Sequence, residues 1–404
     1  MKFNPLADDF QTNPYPIYDH LRSSQPICHS VIGGDWVLTR YEDVKSILKD
    51  RRVVTVNKGK LIEEKAKYLK NRGQNIQALA DTTNKFLFYL NPPDHNRLRS
   101  LVGQVFSPVK IKEMRPKIET IFNECLDKAL SKGEIDIIED IAQPIPVRMI
   151  GMILGIPPND IKKSFNHWTR TLSRIIDPLI PLAEYETLNQ VALEAQQYFH
   201  ELIFQREKDP QQDLISHLIT ARDESGKLNE QEVLSMCIML FVTAQDTTVN
   251  TIGNGMLALL QHPDQMDKLK QEPEIIDTAV EEILRFDSPV QMATRIANES
   301  LKIGGQTIQK GENIHLCLGS ANRDPAEFPN PDQFDVLRQK NNHLAFGDGI
   351  HLCLGAPLAR LEAKIIINSL LQKLPNLKLA SNKLEWRKTV ATRGLNELLV
   401  TIST

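Results

Sequence analysis

Apolar residues recur with helical spacing along most of this chain. From about Asp94 to Leu284 they return every three or four positions, which predicts a region dominated by helices. Prolines interrupt the pattern near Pro144–Pro146, Pro157–Pro158, Pro178–Pro181 and Pro210. The first sixty residues mix turns with short elements: GDWVLTR reads as a strand and YEDVKSILKD as a helix. After Arg285 the period shortens. LKIGGQTIQKGENIHLCLG reads as short strands, with Gly304-Gly305 as a two-residue hairpin turn. ANRDPAEFPNPDQFDVLR reads as turn-rich coil, and a last helix is expected from about Leu354 to Leu374, ending before Pro375. The expected fold is therefore mainly α with small β-sheets. No repeat of solenoid length and no Gly/Ser or Pro-rich linker divides it, so residues 1–404 are expected to form a single domain.

The lysine-rich stretch KGKLIEEKAKYLKNRG, Lys58 to Gly73, reads as a solvated helix face, with a mobile lid as the alternative. Elsewhere composition mainly excludes. With 41% hydrophobic and 25% charged residues the chain is an ordinary soluble protein, and a net charge of −3 gives no reason to expect nucleic-acid binding. VLSMCIMLFV, Val233–Val242, is the longest nearly apolar run, and its ten residues fall short of the roughly 20 that a bilayer needs. The N-terminal MKFNPLADDF lacks the apolar core of a secretory signal. A cytoplasmic protein without a membrane segment is expected.

The five cysteines are odd in number and scattered, which argues against a disulfide framework, and neither CxxC nor HExxH occurs. A bound metal would have to rest on a single cysteine. Two candidates share one hexapeptide: IHLCLG occurs at Ile314–Gly319 and again at Ile350–Gly355. In the first copy, strand alternation puts Ile314, Leu316 and Leu318 on one face and His315 and Cys317 on the other, which makes Cys317 a small buried hydrophobe. The second copy follows Gly347 and Gly349 and leads into a helix with Pro357 in its first turn. A cysteine there sits near the positive end of the helix dipole, which favours the thiolate that a metal needs. The same residues would also make a plain loop-to-helix corner.

FGDGIHLCLG places Phe346, Gly349 and Cys353 in the order F-x-x-G-x-x-x-C. This is similar to the haem-binding loop of the cytochrome P450 family. The first copy has Lys310 and Asn313 at the corresponding places and fails the pattern. The resemblance implies a P450-type helical domain with haem b held between a long central helix and the cysteine loop. It makes Cys353 the axial ligand, with Phe346 packed on that side. Thiolate ligation pushes electron density onto iron.

Other segments resemble the same family. VLSMCIMLFVTAQDTTVNTIGNGMLALL is an apolar helix interrupted by polar residues, which taken alone reads as a solvent-facing stripe. A threonine there can bond back to the carbonyl four residues earlier, from Thr247 to Thr243. Asp246-Thr247 matches the family's acid–threonine pair, which manages oxygen and protons. The family usually has Ala/Gly-Gly just before it; here stand Thr243-Ala244, which implies an additional hydroxyl near the pocket. Glu282-x-x-Arg285 looks like the family's structural pair, with Arg323 or Arg338 as its third partner. By match, His95, Arg99, Arg295 and His351 hold the haem propionates, and His343 is structural. Val242, Thr243, Val290, Met292, Ala293 and Leu395 are the expected pocket residues. The segment between Asp50 and Pro92 is longer than usual for the soluble bacterial branch that the chain resembles.

The resemblance implies a monooxygenase that inserts one oxygen atom from O2 into an apolar small molecule such as a fatty acid, a terpenoid or a polyketide-like compound. Electrons would come from a ferredoxin or flavodoxin with its reductase. Oxidative coupling, isomerisation or peroxide-driven oxidation at the same site is the second reading, and a helical binding protein without cofactor is the third.

Overall fold

The structure, a computed structural model, describes residues 3–132, 134–161, 163–225 and 228–402. The chain folds into two compact units. One comprises Met1–Val54, Arg115–Pro144 and Thr247–Thr404, and the other Thr55–Met114 and Ile145–Asp246.

The first unit contains the main sheet, in which the strands Ile27–His29, Trp36–Leu38, Asn313–Cys317 and Met292–Ala297 are successive neighbours. Trp36–Leu38 runs parallel to Asn313–Cys317, and Met292–Ala297 antiparallel to it. Strand alternation decides what each side chain meets. Ile314, Leu316 and Leu318 pack with Leu38, Val44 and Phe328. Cys317 packs on the opposite side with Val37, Met292, Tyr18 and Leu21. Gly304 and Gly305 have φ of 52° and 79° and join the strands Leu301–Ile303 and Gln306–Ile308, as the two-residue turn requires.

Glu282 and Arg285 are fully buried and 2.7 Å apart. Arg338 completes the group, its Nε donating to Glu282 Oε2 at 3.0 Å. Arg323 instead donates to the Phe286 carbonyl and pairs with Asp332 at 3.1 Å. Arg285 spends its remaining donors on the carbonyls of Asn322, Pro331 and Gln333, so this buried charge group is hydrogen-bonded throughout.

The second unit is helical. The interruption expected near Pro144–Pro146 falls between the helical segment Ile137–Ala142 and the helix Pro144–Leu154, which the prolines open because a first-turn proline lacks only an N–H that would have no helical partner. The lysine-rich segment forms the helix Lys58–Lys70, solvated on one face and seated through Ile62, Ala66 and Leu69. Lys58 departs from that pattern: it is buried, its ammonium donates to the Asp177 carbonyl at 2.6 Å, and burial pulls its pKa down to about 8.

The boundary between the units falls inside one helix, Glu230–Gln261, between Asp246 and Thr247. The ten-residue apolar run is the start of this 32-residue element, which is long and apolar enough to cross a bilayer. Its apolar window is 83% buried in protein, which is the condition of a core helix.

Candidate functional site

The second copy of IHLCLG, in the first unit, is a loop. Gly347 and Gly349 have φ of 72° and 70°, and a Cβ on Gly349 would lie 2.6 Å from the Leu48 carbonyl oxygen. Only glycine combines that conformation with that approach. The Cys353 N–H donates to the Phe346 carbonyl at 2.9 Å, closing the loop. Gly355 caps the helix Ala356–Lys373, which has Pro357 in its first turn and is seated through Leu358, Ile365 and Ile366. Cys353 is exposed, whereas Cys28, Cys125, Cys237 and Cys317 are buried.

The loop is braced from behind. The Arg360 guanidinium lies over the Phe346 ring at 4.4 Å and donates to both carboxylate oxygens of Glu281, which also bonds His343 at 2.9 Å. Burial opposes ionisation of Glu281, but the hydrogen bonds from His343 and Arg360 outweigh it and bring its pKa down to about 2. His343 therefore has the structural place expected of it, and His351 lies half-buried in the loop itself.

Arg295 is 9% exposed on the strand Met292–Ala297. Its Nη1 donates to the Thr294 carbonyl at 3.0 Å, and among the described residues no carboxylate pairs with it. Burial alone pulls its pKa down to about 10. A buried guanidinium without an anion is costly, so this position fits a ligand that brings its own carboxylate. A haem brings two. With an accessible thiol in a glycine-shaped loop, the residues present fit the group. In the second unit, His95 and Arg99 stand one turn apart on the helix Asp94–Gly103, on one face of it. His95 is buried and its Nδ1 lies 3.1 Å from Asn96 Oδ1; burial holds its pKa below the usual value.

In the long helix Gln245, Asp246, Thr248 and Asn250 are buried, so the polar stripe faces protein rather than solvent. Gln245 is held from the helix Lys163–Ser173: its Nε2 donates to Asn166 Oδ1 at 3.2 Å and its Oε1 accepts from Thr169. Back-bonding occurs at two threonines flanking the acid–threonine pair, Thr243 to the Met239 carbonyl and Thr251 to the Thr247 carbonyl, both at 2.8 Å.

The expected pocket residues divide. Ala293 shares a strand face with Arg295 and is half-buried, as are Val290 and Thr243; Val242 is buried. Met292 lies on the opposite face, inside the apolar cluster around Cys317, and Leu395 is fully enclosed. These two are core residues: the strand phase turns Met292 away from Arg295. One group escaped the sequence reading. Glu362, on the helix Ala356–Lys373, is buried, and its Oε1 has no hydrogen-bond partner among the described residues. Burial raises its pKa well above the usual carboxyl range. A lone carboxylate in LARLEAKIII was the signal.

A mainly helical fold with small sheets, a glycine-shaped cysteine loop and a buried Glu-x-x-Arg group defines a haem-thiolate class of protein. The profile of the family described as Cytochrome P450 matches residues 37–385. The chain is 42% identical over 397 residues to the "Biotin biosynthesis cytochrome P450" of Bacillus subtilis (strain 168), covering 98% of each. It is 39% identical over 412 residues to "Polyketide biosynthesis cytochrome P450 PksS" of the same organism, covering 100% of this chain and 99% of that one. A crystal structure of P450BioI in complex with hexadec-9Z-enoic acid ligated acyl carrier protein superposes with a TM-score of 0.90 at 40% identity, covering 98% and 99%. This chain belongs to the cytochrome P450 family. It is a haem-thiolate monooxygenase that takes O2, electrons from redox partners and an organic substrate, which removes the reading as a cofactor-free binding protein.

Proposed function

We propose that Cys353 would ligate the iron of a haem b in this chain, that Phe346 would pack beside it, and that His95, Arg99, Arg295 and His351 would hold the propionates. The observation that carries this reading is Arg295, a buried cation with which no carboxylate pairs among the described residues. When bound, the haem activates O2 so that one oxygen atom enters an unreactive C–H bond and the other leaves as water. The protein binds, orients and meters protons. The Asp246 carboxylate takes protons up and passes them to Thr247 Oγ1. Thr243, already committed to the Met239 carbonyl, shapes the helix there.

The substrate we propose is an extended apolar acyl chain. Support comes from the biotin- and polyketide-pathway names of the relatives and from the fatty acyl group in the neighbouring crystal structure. Electrons come from a ferredoxin or flavodoxin with its reductase. Residues 1–404 make one cytochrome P450 domain acting in the cytoplasm, a reading supported by relatives matched over nearly their whole length.

The test is the absorption band of the reduced, carbon-monoxide-bound full chain, which reports thiolate ligation. A band typical of a nitrogen-ligated or water-ligated haem would overturn the assignment of Cys353. For the proton path, Thr247→Ala should retain haem but lower the ratio of oxygenated product to electron donor consumed. An unchanged ratio removes Thr247 from that path. General acid–base contributions are on the order of 10²–10⁴ in rate.

A further inference from the structure

The helix Lys58–Lys70 is anchored through one face. Besides Ile62, Ala66 and Leu69, Lys58 is tied to the Asp177 carbonyl, Glu63 accepts from Asn84, and the Lys65 ammonium lies over the Tyr185 ring at 4.8 Å. The other face presents Lys60, Lys67 and Lys70 to solvent, with Arg72 just beyond the helix end stacked on Tyr68 at 4.7 Å. Leu61 and Tyr68 stand among these cations, 44% and 48% exposed. Glu64 is the one exposed carboxylate of the helix, and no carboxylate pairs with Lys60, Lys67 or Lys70 among the described residues. In a chain of net charge −3 this is a concentrated positive strip with apolar contacts inside it. The cations and the two apolar side chains stand together on one exposed helix face.

We propose that this face docks an acidic carrier domain that presents the acyl substrate, an inference that rests on the acyl-chain reading above. Charge complementarity selects the occupant: unpaired surface cations steer and orient an acidic partner, and Leu61 and Tyr68 give the encounter a dry centre. An anionic lipid surface is the weaker fit. A helix that lies in a membrane interface inserts its apolar face, and here Ile62, Ala66 and Leu69 are already buried in protein.

The test uses the full-length holoenzyme and two separate measurements. Fluorescence anisotropy with a labelled hexadecanoyl-acyl carrier protein reads docking, and the haem spin-state absorption with free hexadecanoic acid reads the pocket. Lys67→Glu combined with Lys70→Glu should weaken carrier binding by about tenfold or more at low ionic strength, a difference that shrinks at high salt. The response to free acid should be the same as in the parent. Carrier binding that is absent in the parent, or equal in parent and variant, overturns the docking face. So does preferential binding of phosphatidylglycerol vesicles through the same lysines. A parent that binds the carrier but shows no spin-state response to free acid or tethered chain keeps the docking face and sinks the acyl-chain reading.

Discussion

In the first copy of IHLCLG the backbone is a strand inside a sheet, bonded on one side to Trp36–Leu38 and on the other to Met292–Ala297. Ile314, Leu316 and Cys317 are buried. In the second copy the same side chains follow two left-handed glycines, and Ile350 and Leu352 are 49% and 45% exposed. Burial pushes the Cys317 thiol well above its usual pKa, with the nearby Cys28 adding to the effect, whereas Cys353 is open. The difference lies in the preceding residues. Each copy follows a left-handed glycine, Gly311 or Gly347, but Asn313 then opens the strand Asn313–Cys317, whereas Gly349, left-handed as well, keeps turning the chain so that the second copy runs into a helix start. A cysteine's chemistry belongs to its backbone environment, and six shared residues do not carry it.

The largest effect should come from exchanging each sulfur for oxygen. Cys353→Ser should abolish the thiolate band entirely. Cys317→Ser should keep the band and lose about 1–3 kcal/mol of stability, because a hydroxyl replaces a thiol among Val37, Met292 and Leu21. Denaturant unfolding alongside the spectra separates the two outcomes. A normal band in Cys353→Ser would erase the contrast.

Next in size is the turn. Gly349→Ala combines a φ of 70° with a Cβ 2.6 Å from the Leu48 oxygen. Left-handed strain costs about 1–3 kcal/mol and the contact adds to it, so haem content per chain should fall sharply. Full haem content would show that the loop does not need its turn.

The phase of the first copy, the glycine turn of the second and the Glu282–Arg285 pair were readable because each is a local pattern. What was not readable depends on distant partners. Arg323 and Arg338 are equivalent in sequence, and packing alone gives Glu282 to Arg338. Lys58 belongs to a charge-rich helix, yet Asp177, far along the chain, supplies the carbonyl that buries it. Met292 was expected in the pocket, but the sheet register opposite Cys317 fixes it in the core. Sequence period assigns residues to faces without saying what each face meets.

A smaller effect should separate the glycines that end the two copies. A Cβ on Gly319 would strike the Gln291 side chain, whose Nε2 donates to the Ser288 carbonyl at 2.9 Å and to the Tyr15 hydroxyl at 3.2 Å. Around Gly355 the space is open. Gly319→Ala should therefore cost about 1–3 kcal/mol through displaced hydrogen bonds, and Gly355→Ala within about 0.5 kcal/mol. Equal melting shifts would mean that Gln291 swings away freely.

The smallest effect is a pH dependence that only the buried copy should show. In the unfolded chain the Cys317 thiol titrates near the ordinary thiol value of 9.0, while in the folded chain burial keeps it protonated to higher pH. Above about pH 9 the unfolded state thus releases a proton that the native state keeps. Stability from this group is fully present below pH 9 and falls as pH rises. Cys317→Ala lacks that term. Between pH 8 and pH 10 the parent should lose about 1 kcal/mol more than Cys317→Ala, following from about 1.4 kcal/mol per pH unit once the unfolded thiol is ionised. Cys237, whose thiol burial also raises but which does not sense Cys317, contributes equally to both proteins and cancels in the difference. The comparison is made by urea unfolding of the two proteins at both pH values in haem-free form, so that Cys353 carries no ligand in either. Parallel pH profiles would mean that Cys317 ionises in the native state as readily as in the unfolded one, and that the burial of the first copy does not control its thiol.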